Sequence, residues 1–393
     1  MSTEAPARVS PAGAPVEHDA TPPGRARGRR RFTIVLASVL AVLLAATIAF
    51  AVTNVRQANA SSGALLTLVS GSTKTPARPD RIVRTQLGSN RPAKTVYSAK
   101  WIGEFARLGN RLLVISDQGD GVRLRVVDAA GKSVALPGPA NAGYGDLRVS
   151  PDGKRFGYLA MTRPAQGDSS DRYVLYLASA SNLKPVQVGM RSGTPILWSL
   201  WTFLSGTDKI AAMDSSGITY IIDPAAKTAP MPYGQLGQLI GAVPGRAILV
   251  SQPALSPSTT TLKLILTDLG TGAKTTVAES NRLALTPGEA LGPLTILGPS
   301  ERVQVVYAST SVDGHTTTAP RAELIDGTSV RTLLKPGAGT QLTTACASPN
   351  GHDVAFVLLG TRANAAPTTV VIDARTGARV STLAGDKPDW CAS

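Results

Sequence analysis

Ser150-Pro151-Asp152-Gly153-Lys154-Arg155-Phe156-Gly157-Tyr158-Leu159-Ala160 reads as a tight turn followed by a short strand of bulky residues. The pattern recurs. Ser348-Pro349-Asn350-Gly351-His352-Asp353-Val354-Ala355-Phe356-Val357 is a second clear copy, and looser copies lie between and before the two. Pro151 presets φ at ~−65°, and Asp152-Gly153 or Asn350-Gly351 supply residues that accept a positive φ, which a reversal into a strand requires.

Working outward, turns near Asn110, Gly153, Asp208, Gly245, Ser300 and Gly351 each lead into a short strand, as in Arg155 to Met161 and Arg302 to Ala308. Their spacings of 43, 55, 37, 55 and 51 residues fall near the roughly 40 to 50 residues of a propeller blade. Each unit then supplies a second strand, and most end it in Asp before a turn: Asp128, Asp223, Asp268, Asp326 and Asp373, with Ser179 in the second unit. A third strand follows, as in Arg379 to Leu383, and an apolar stretch such as Leu197 to Leu204 precedes each first turn. Four short antiparallel strands per unit make a blade, so the expected fold is an all-β propeller of six to seven four-stranded blades.

The end of the chain extends the repeat. Ala345-Cys346-Ala347-Ser348 leads into the sixth turn, and Trp390-Cys391-Ala392-Ser393 stands 45 residues later at the same phase. The last residues therefore begin a seventh unit, and a propeller that leaves no sheet edge exposed closes its ring with strands from both termini. Ala64 to Val69 and Arg81 to Leu87 are the strands expected to finish it.

Composition agrees with many turns and few helices: 393 residues, 43% apolar, 38 Gly and 28 Pro. The formal charge is +14; residues 1–60 hold seven Arg against Glu4, Glu17 and Asp19, giving +4, which leaves +10 for residues 61–393. A basic exterior favours anionic partners.

Residues 1–31 lack apolar periodicity and read as a disordered tail ending in Arg25, Arg27, Arg29, Arg30 and Arg31. Residues 32–52, Phe32 to Val52, form an uncharged run of 21 residues, whose helical length of about 31 Å matches a bilayer core. The Arg bias places the tail in the cytoplasm and everything after the span outside. The rival reading is a cleaved signal peptide with Ala58-Asn59-Ala60 as its site, but the run exceeds the usual core of about 7 to 15 residues. Residues 53–80 read as an extracytoplasmic spacer and residues 81–393 as the propeller, with a closing strand from residues 64–69. The expected location is the cell membrane, single-pass, with the C-terminal domain extracytoplasmic.

The Ser-Pro-Asp-Gly-Lys-Arg-Phe-x-Tyr-Leu segment, followed by a strand ending in Asp and a Gly-containing turn, resembles the WD40-like (PD40) repeat of the TolB-type β-propellers. That repeat is often preceded by Pro-x-Trp-Ser, and Lys387-Pro388-Asp389-Trp390-Cys391 looks like a degenerate form of it. The resemblance covers roughly residues 95–393, with the copies at Ser150 and Ser348 the close matches. It implies an envelope propeller that binds other proteins without catalysis. TolB itself is soluble and carries a separate N-terminal α/β domain, for which this chain has little room, so a role in a Tol-Pal system does not transfer.

The remaining constellations read as structural. Identical phase argues that the recurring Asp residues accept backbone N–H bonds in their turns rather than forming an acidic ring. Asp117-Gln118-Gly119-Asp120-Gly121 has oxygen donors at close spacing, but lacks the distal Glu of a calcium loop and suits a hairpin. His18 lies in the tail, and His315 and His352 lack partners at metal-ligand spacing. No Gly-x-Ser-x-Gly elbow and no phosphate-cradling loop occurs. Catalytic residues, metal ligands and cofactors are therefore assigned to none. Cys346 and Cys391, both outside the membrane, favour a disulfide, worth about 4 kcal/mol in the chain-entropy model; two buried free thiols are the alternative. Trp101, Trp198, Trp201 and Trp390 fall in or near the first strands of their units, and the spacing of Trp198 and Trp201 puts them on opposite faces of a strand.

The functional expectation is a non-catalytic, membrane-anchored, extracytoplasmic propeller that binds an envelope protein or an anionic polymer; location argues against nucleic acid. A ligand sensor coupled to the tail and a propeller hydrolase or lyase are the alternatives.

Overall fold

A computed structural model describes residues 63–71, 78–88, 91–138, 143–162, 172–191, 194–195, 198–226, 230–236, 238–243, 248–252, 263–279, 289–297, 304–311, 320–327, 329–360 and 365–392. The chain divides into two units, Met1–Gln57 and Ala58–Ser393, and every described residue belongs to the second. The basic cluster Arg25, Arg27, Arg29, Arg30 and Arg31, the apolar run Phe32 to Val52, His18 and His315 lie outside the described residues. Among the described residues no helix is long and apolar enough to cross a membrane.

The described strands form six four-stranded antiparallel sheets, one three-stranded sheet and a two-stranded hairpin. Each four-stranded sheet is a blade whose strands follow one another in space as in sequence, the first being innermost: blade 1 covers residues 101–135, blade 2 143–188, blade 3 198–235, blade 4 238–279, blade 5 289–334 and blade 6 340–384. Blade 2 shows why. Arg155–Thr162 pairs with Gly143–Val149 on one side and Arg172–Ser179 on the other. Its alternate residues point to opposite faces: Phe156, Tyr158 and Ala160 pack towards blade 1, and Leu159 towards blade 3. Both faces are therefore dry, which is why these strands read as nearly continuous apolar runs. Each fully buried Leu, Ile, Val or Phe contributes about 1.5–3 kcal/mol relative to exposure.

The two repeat turns adopt the same hydrogen-bond pattern. In the first, the Ser150 N–H donates to the Arg155 carbonyl (2.9 Å), the Gly153 N–H to the Ser150 carbonyl (2.8 Å) and the Arg155 N–H to Ser150 Oγ (2.9 Å), while Ser150 Oγ donates to Asp152 Oδ1 (2.6 Å). The second reproduces it: Ser348 N–H to Asp353 O (2.8 Å), Gly351 N–H to Ser348 O (2.8 Å), Asp353 N–H to Ser348 Oγ (2.9 Å) and Ser348 Oγ to Asn350 Oδ1 (2.6 Å). Gly153 and Gly351 sit at φ 68° and 69°, in the left-handed region that favours glycine.

Contacts between blades run in an unbroken circuit. Hydrophobic clusters join blades 1 and 2, 2 and 3, 3 and 4, 4 and 5, and 5 and 6. The three-stranded sheet, Ala64–Val69, Asp80–Gln86 and Lys94–Ala99, completes it. Leu65 packs with Cys346, Ala355, Val371 and Leu383 of blade 6, whereas Leu66, Leu68, Ile82 and Tyr97 pack with Ile102, Phe105 and Val114 of blade 1. Its innermost position is filled from the other end of the chain. Leu68 and Asp386 exchange backbone bonds of 2.8 and 2.9 Å, and a 3-10 turn, Asp389–Ala392, follows. Six blades thus have four strands, and the sheet that closes the ring has three plus this C-terminal segment.

Two features depart from the sequence reading. Every innermost strand carries a bulge against its neighbour, at Ile102/Glu104, Gly145/Arg148, Trp198/Leu200, Leu239/Gly241, Leu291/Leu294 and Leu342/Thr344. The bulge beside Trp198 inserts a residue, so Trp198 and Trp201 do not point to opposite faces: both are buried in one cluster with Phe203 and Tyr220. Second, Met190–Arg191 and Thr194–Pro195 form a small hairpin ahead of blade 3.

Candidate ligand site on the propeller axis

The penultimate residues of the six innermost strands are Arg107, Arg148, Thr202, Gly241, Ile296 and Cys346. All six line one cavity of about 480 Å³, and the closing segment adds Asp389 and Trp390 to its wall. Ser150, Pro151, Ser348 and Pro349 also line it, so the cavity lies at the end of the axis where the repeat turns sit. Its apolar surface includes Phe203, Leu294, Ile296 and Trp390.

Two Arg-Asp pairs set its polar character. Arg107 Nη2 lies 2.9 Å from Asp389 Oδ2 and donates to the Ala64 carbonyl (3.2 Å). The Leu66 N–H donates to Asp389 Oδ1 (3.0 Å). Asp389 thus holds the closing sheet to blade 1 through both oxygens. Burial pushes its carboxyl above the usual range, against the pull of the Arg107 guanidinium.

The second pair is Arg148 and Asp146. Arg148 Nε donates to Asp146 Oδ1 (2.9 Å), and its guanidinium lies 5.8 Å from the Trp201 ring centroid. Trp201 Nε1 in turn donates to the Asp146 carbonyl (3.2 Å). Asp146 takes φ 49°, uncommon outside Gly, at the bulge of its strand. The sequence reading assigned no role to Arg107, Arg148 or Asp389. A signal existed: Arg107 and Arg148 are basic residues at the same phase of adjacent units, one position before the end of the first strand of each.

The recurring Asp residues sit at the turns after their strands. Oδ1 of Asp128 accepts from the Ala130 and Lys132 N–H groups, that of Asp223 from Ala225, that of Asp268 from Gly270 and Thr271, and that of Asp373 from Arg375 and Thr376. Asp326 differs: its Oδ2 accepts from Gln304 Nε2 (3.0 Å). In the Asp117 loop, Oδ1 of Asp117 accepts from the Gly119 and Gly121 N–H groups, and Asp120 pairs with Arg125. The Gly119 bond, ahead of the nearby Lys100 charge, holds the Asp117 carboxyl below the usual range. His352 is exposed in its turn. Trp198, Trp201 and Trp390 are buried, whereas Trp101 is 45% exposed. Among the described residues no three His, Cys, Asp or Glu side chains cluster as metal ligands would.

No protein family and no curated protein matches the sequence. Among solved structures, TolB from Acinetobacter baumannii is similar over 83% of this chain and 64% of its own, at 15% identity and a TM-score of 0.43. A puromycin-hydrolyzing peptidase from Mycobacterium tuberculosis is similar over 78% of this chain and 50% of its own, at 13% identity and a TM-score of 0.50. A prolyl endopeptidase is similar over 72% and 41%, at 15% identity and a TM-score of 0.47. The chain spans less than two thirds of each of these proteins. At these identities the likeness is one of fold alone, and the β-propeller itself rests on the sheet topology described above.

Proposed function

We propose that this chain is a non-catalytic binding module of the cell envelope: a propeller held outside the membrane by Phe32 to Val52, with Arg25 to Arg31 on the cytoplasmic side. Its partner is an envelope protein or an anionic polymer, engaged by loops on one end of the ring. The observation that carries this reading is the state of the axial cavity. The carboxylate in its wall, Asp389, is held by Arg107 and the Leu66 N–H, and among the described residues no His lines the cavity beside it. An acid-base pair poised near neutral pH needs groups free to exchange protons with a substrate.

A Cys346–Cys391 bridge fits the same location. Cys346 is buried at 3%, and no free cysteine occurs among the described residues. The bridge would tie blade 6 to the closing segment. Intact mass without reductant, lower than the reduced mass by two hydrogens, tests it.

The test of function is a pull-down from the native envelope with the full-length chain, at low and high salt. A discrete protein retained at high salt supports the protein-binding reading. Anionic polymer released as salt rises supports electrostatic attachment, and retention of neither sinks both. The sensor alternative, with a ligand outside reported to the tail, gains support from the cavity itself.

A further inference from the structure

Arg148 has the geometry of an anchoring residue. Its Nε is fixed by Asp146, its plane is held near Trp201, and Trp201 is tied back to the Asp146 carbonyl, a closed triangle in which each member restrains the next. The bonds among described residues use Nε alone, leaving the N–H groups of Nη1 and Nη2 without a protein partner, on a side chain that lines the cavity. A planar fork of two such nitrogens matches the two oxygens of a carboxylate. Asp146 takes φ 49° at the point where it holds Nε of this side chain, and backbone strain of this kind gathers at ligand sites.

The rest of the cavity narrows the class. Arg107 is already neutralised by Asp389 and Arg148 faces Asp146, so the wall is close to neutral overall and suits a single negative charge rather than a multiply charged phosphate. Phe203, Leu294, Ile296 and Trp390 supply an apolar wall, and a volume of about 480 Å³ lies within the range of small-molecule pockets. From these observations we infer that the axial cavity binds a small organic monocarboxylate, its carboxylate on the Arg148 fork and its apolar body along the neighbouring inner strands. Binding at this site does not depend on a macromolecular partner, so a pull-down that retains nothing leaves it standing.

Isothermal titration of the full-length chain with hexanoate and benzoate, each matched to its alcohol, tests the inference. The expected result is saturable binding of a carboxylate, at least about tenfold weaker for the alcohol and at least about tenfold weaker again in Arg148→Gln. Arg148→Lys keeps the charge but not the fork and falls between, which decides the matter if Arg148→Gln does not fold. Equal binding of carboxylate and alcohol, undiminished binding in either variant, or no heat from any probe up to about 10 mM would overturn it.

Discussion

Arg107→Met puts the ring closure to a quantitative test. The substitution keeps much of the side-chain volume while removing the partner of a carboxylate whose side chain is 4% exposed. Breaking a buried ion pair by deleting one member costs about 3–5 kcal/mol, because the survivor is stranded. With an unfolding entropy of about 2.1 cal/mol/K per residue over roughly 330 residues, or about 0.7 kcal/mol/K, a 4 kcal/mol loss lowers Tm by about 6 °C. The pH dependence follows from the sign of the shift. Burial already raises the Asp389 pKa and losing Arg107 raises it further, so the folded state binds more protons than the unfolded one. The loss is therefore full above the folded pKa and shrinks as pH falls towards the unfolded value. Asp389→Asn, which removes the charge but keeps an acceptor for the Leu66 N–H, should cost less than Arg107→Met at pH 7. Scanning calorimetry of the three proteins at pH 7 and pH 5 reads all of this. A Tm change below about 1 °C at pH 7, or a loss that grows on acidification, would refute the argument.

Ser150→Ala and Ser348→Ala each remove the hydroxyl that accepts the Arg155 or Asp353 N–H, and should cost about 1–2 kcal/mol apiece, adding in the double variant because the two turns have no partner in common; urea titrations check this. At Gly157, an added Cβ would meet Leu177 Cδ2 at 2.5 Å, Trp201 Cη2 at 2.7 Å and the Tyr176 carbonyl at 2.9 Å, so Gly157→Ala should lose about 1–3 kcal/mol to overpacking, again read by urea. Asp353 lies directly opposite Asp373, and burial followed by that neighbouring charge raises its pKa. Asp353→Asn should therefore raise Tm at pH 7, with a gain of about 0.2–1 kcal/mol that fades as pH falls through the folded pKa of Asp353.

What the sequence made legible was local. Ser-Pro-Asp-Gly and Ser-Pro-Asn-Gly carry their own turn chemistry, and an Asp at a strand end answers the N–H groups two to four residues on, so the blade repeat could be recognised from short windows while its number stayed at six to seven. Even the ring closure showed through, because Cys346 and Cys391 mark the same phase of the repeat. What it concealed depends on neighbours distant in the chain. The bulge that brings Trp198 and Trp201 to one side leaves no residue signature of its own. Lys94–Ala99 became a strand only because Asp80–Gln86 offers it an edge. Arg107 and Arg148 looked like ordinary basic strand residues until the partners in the closing turn and the bulge were brought alongside.

The pairing of Leu68 with Asp386 also sets a timetable. Among the described strands Ala64–Val69 is made first and waits for Asp386, in the segment after blade 6, before its inner side is covered, so each nascent chain passes through a stage with two open sheet edges at the same gap. Until Asp389 meets Arg107 those edges invite pairing with other chains. Chains cut short before Asp386 should thus be the form that aggregates or is degraded, so the bridge that seals the ring also sets which truncated products a cell must clear.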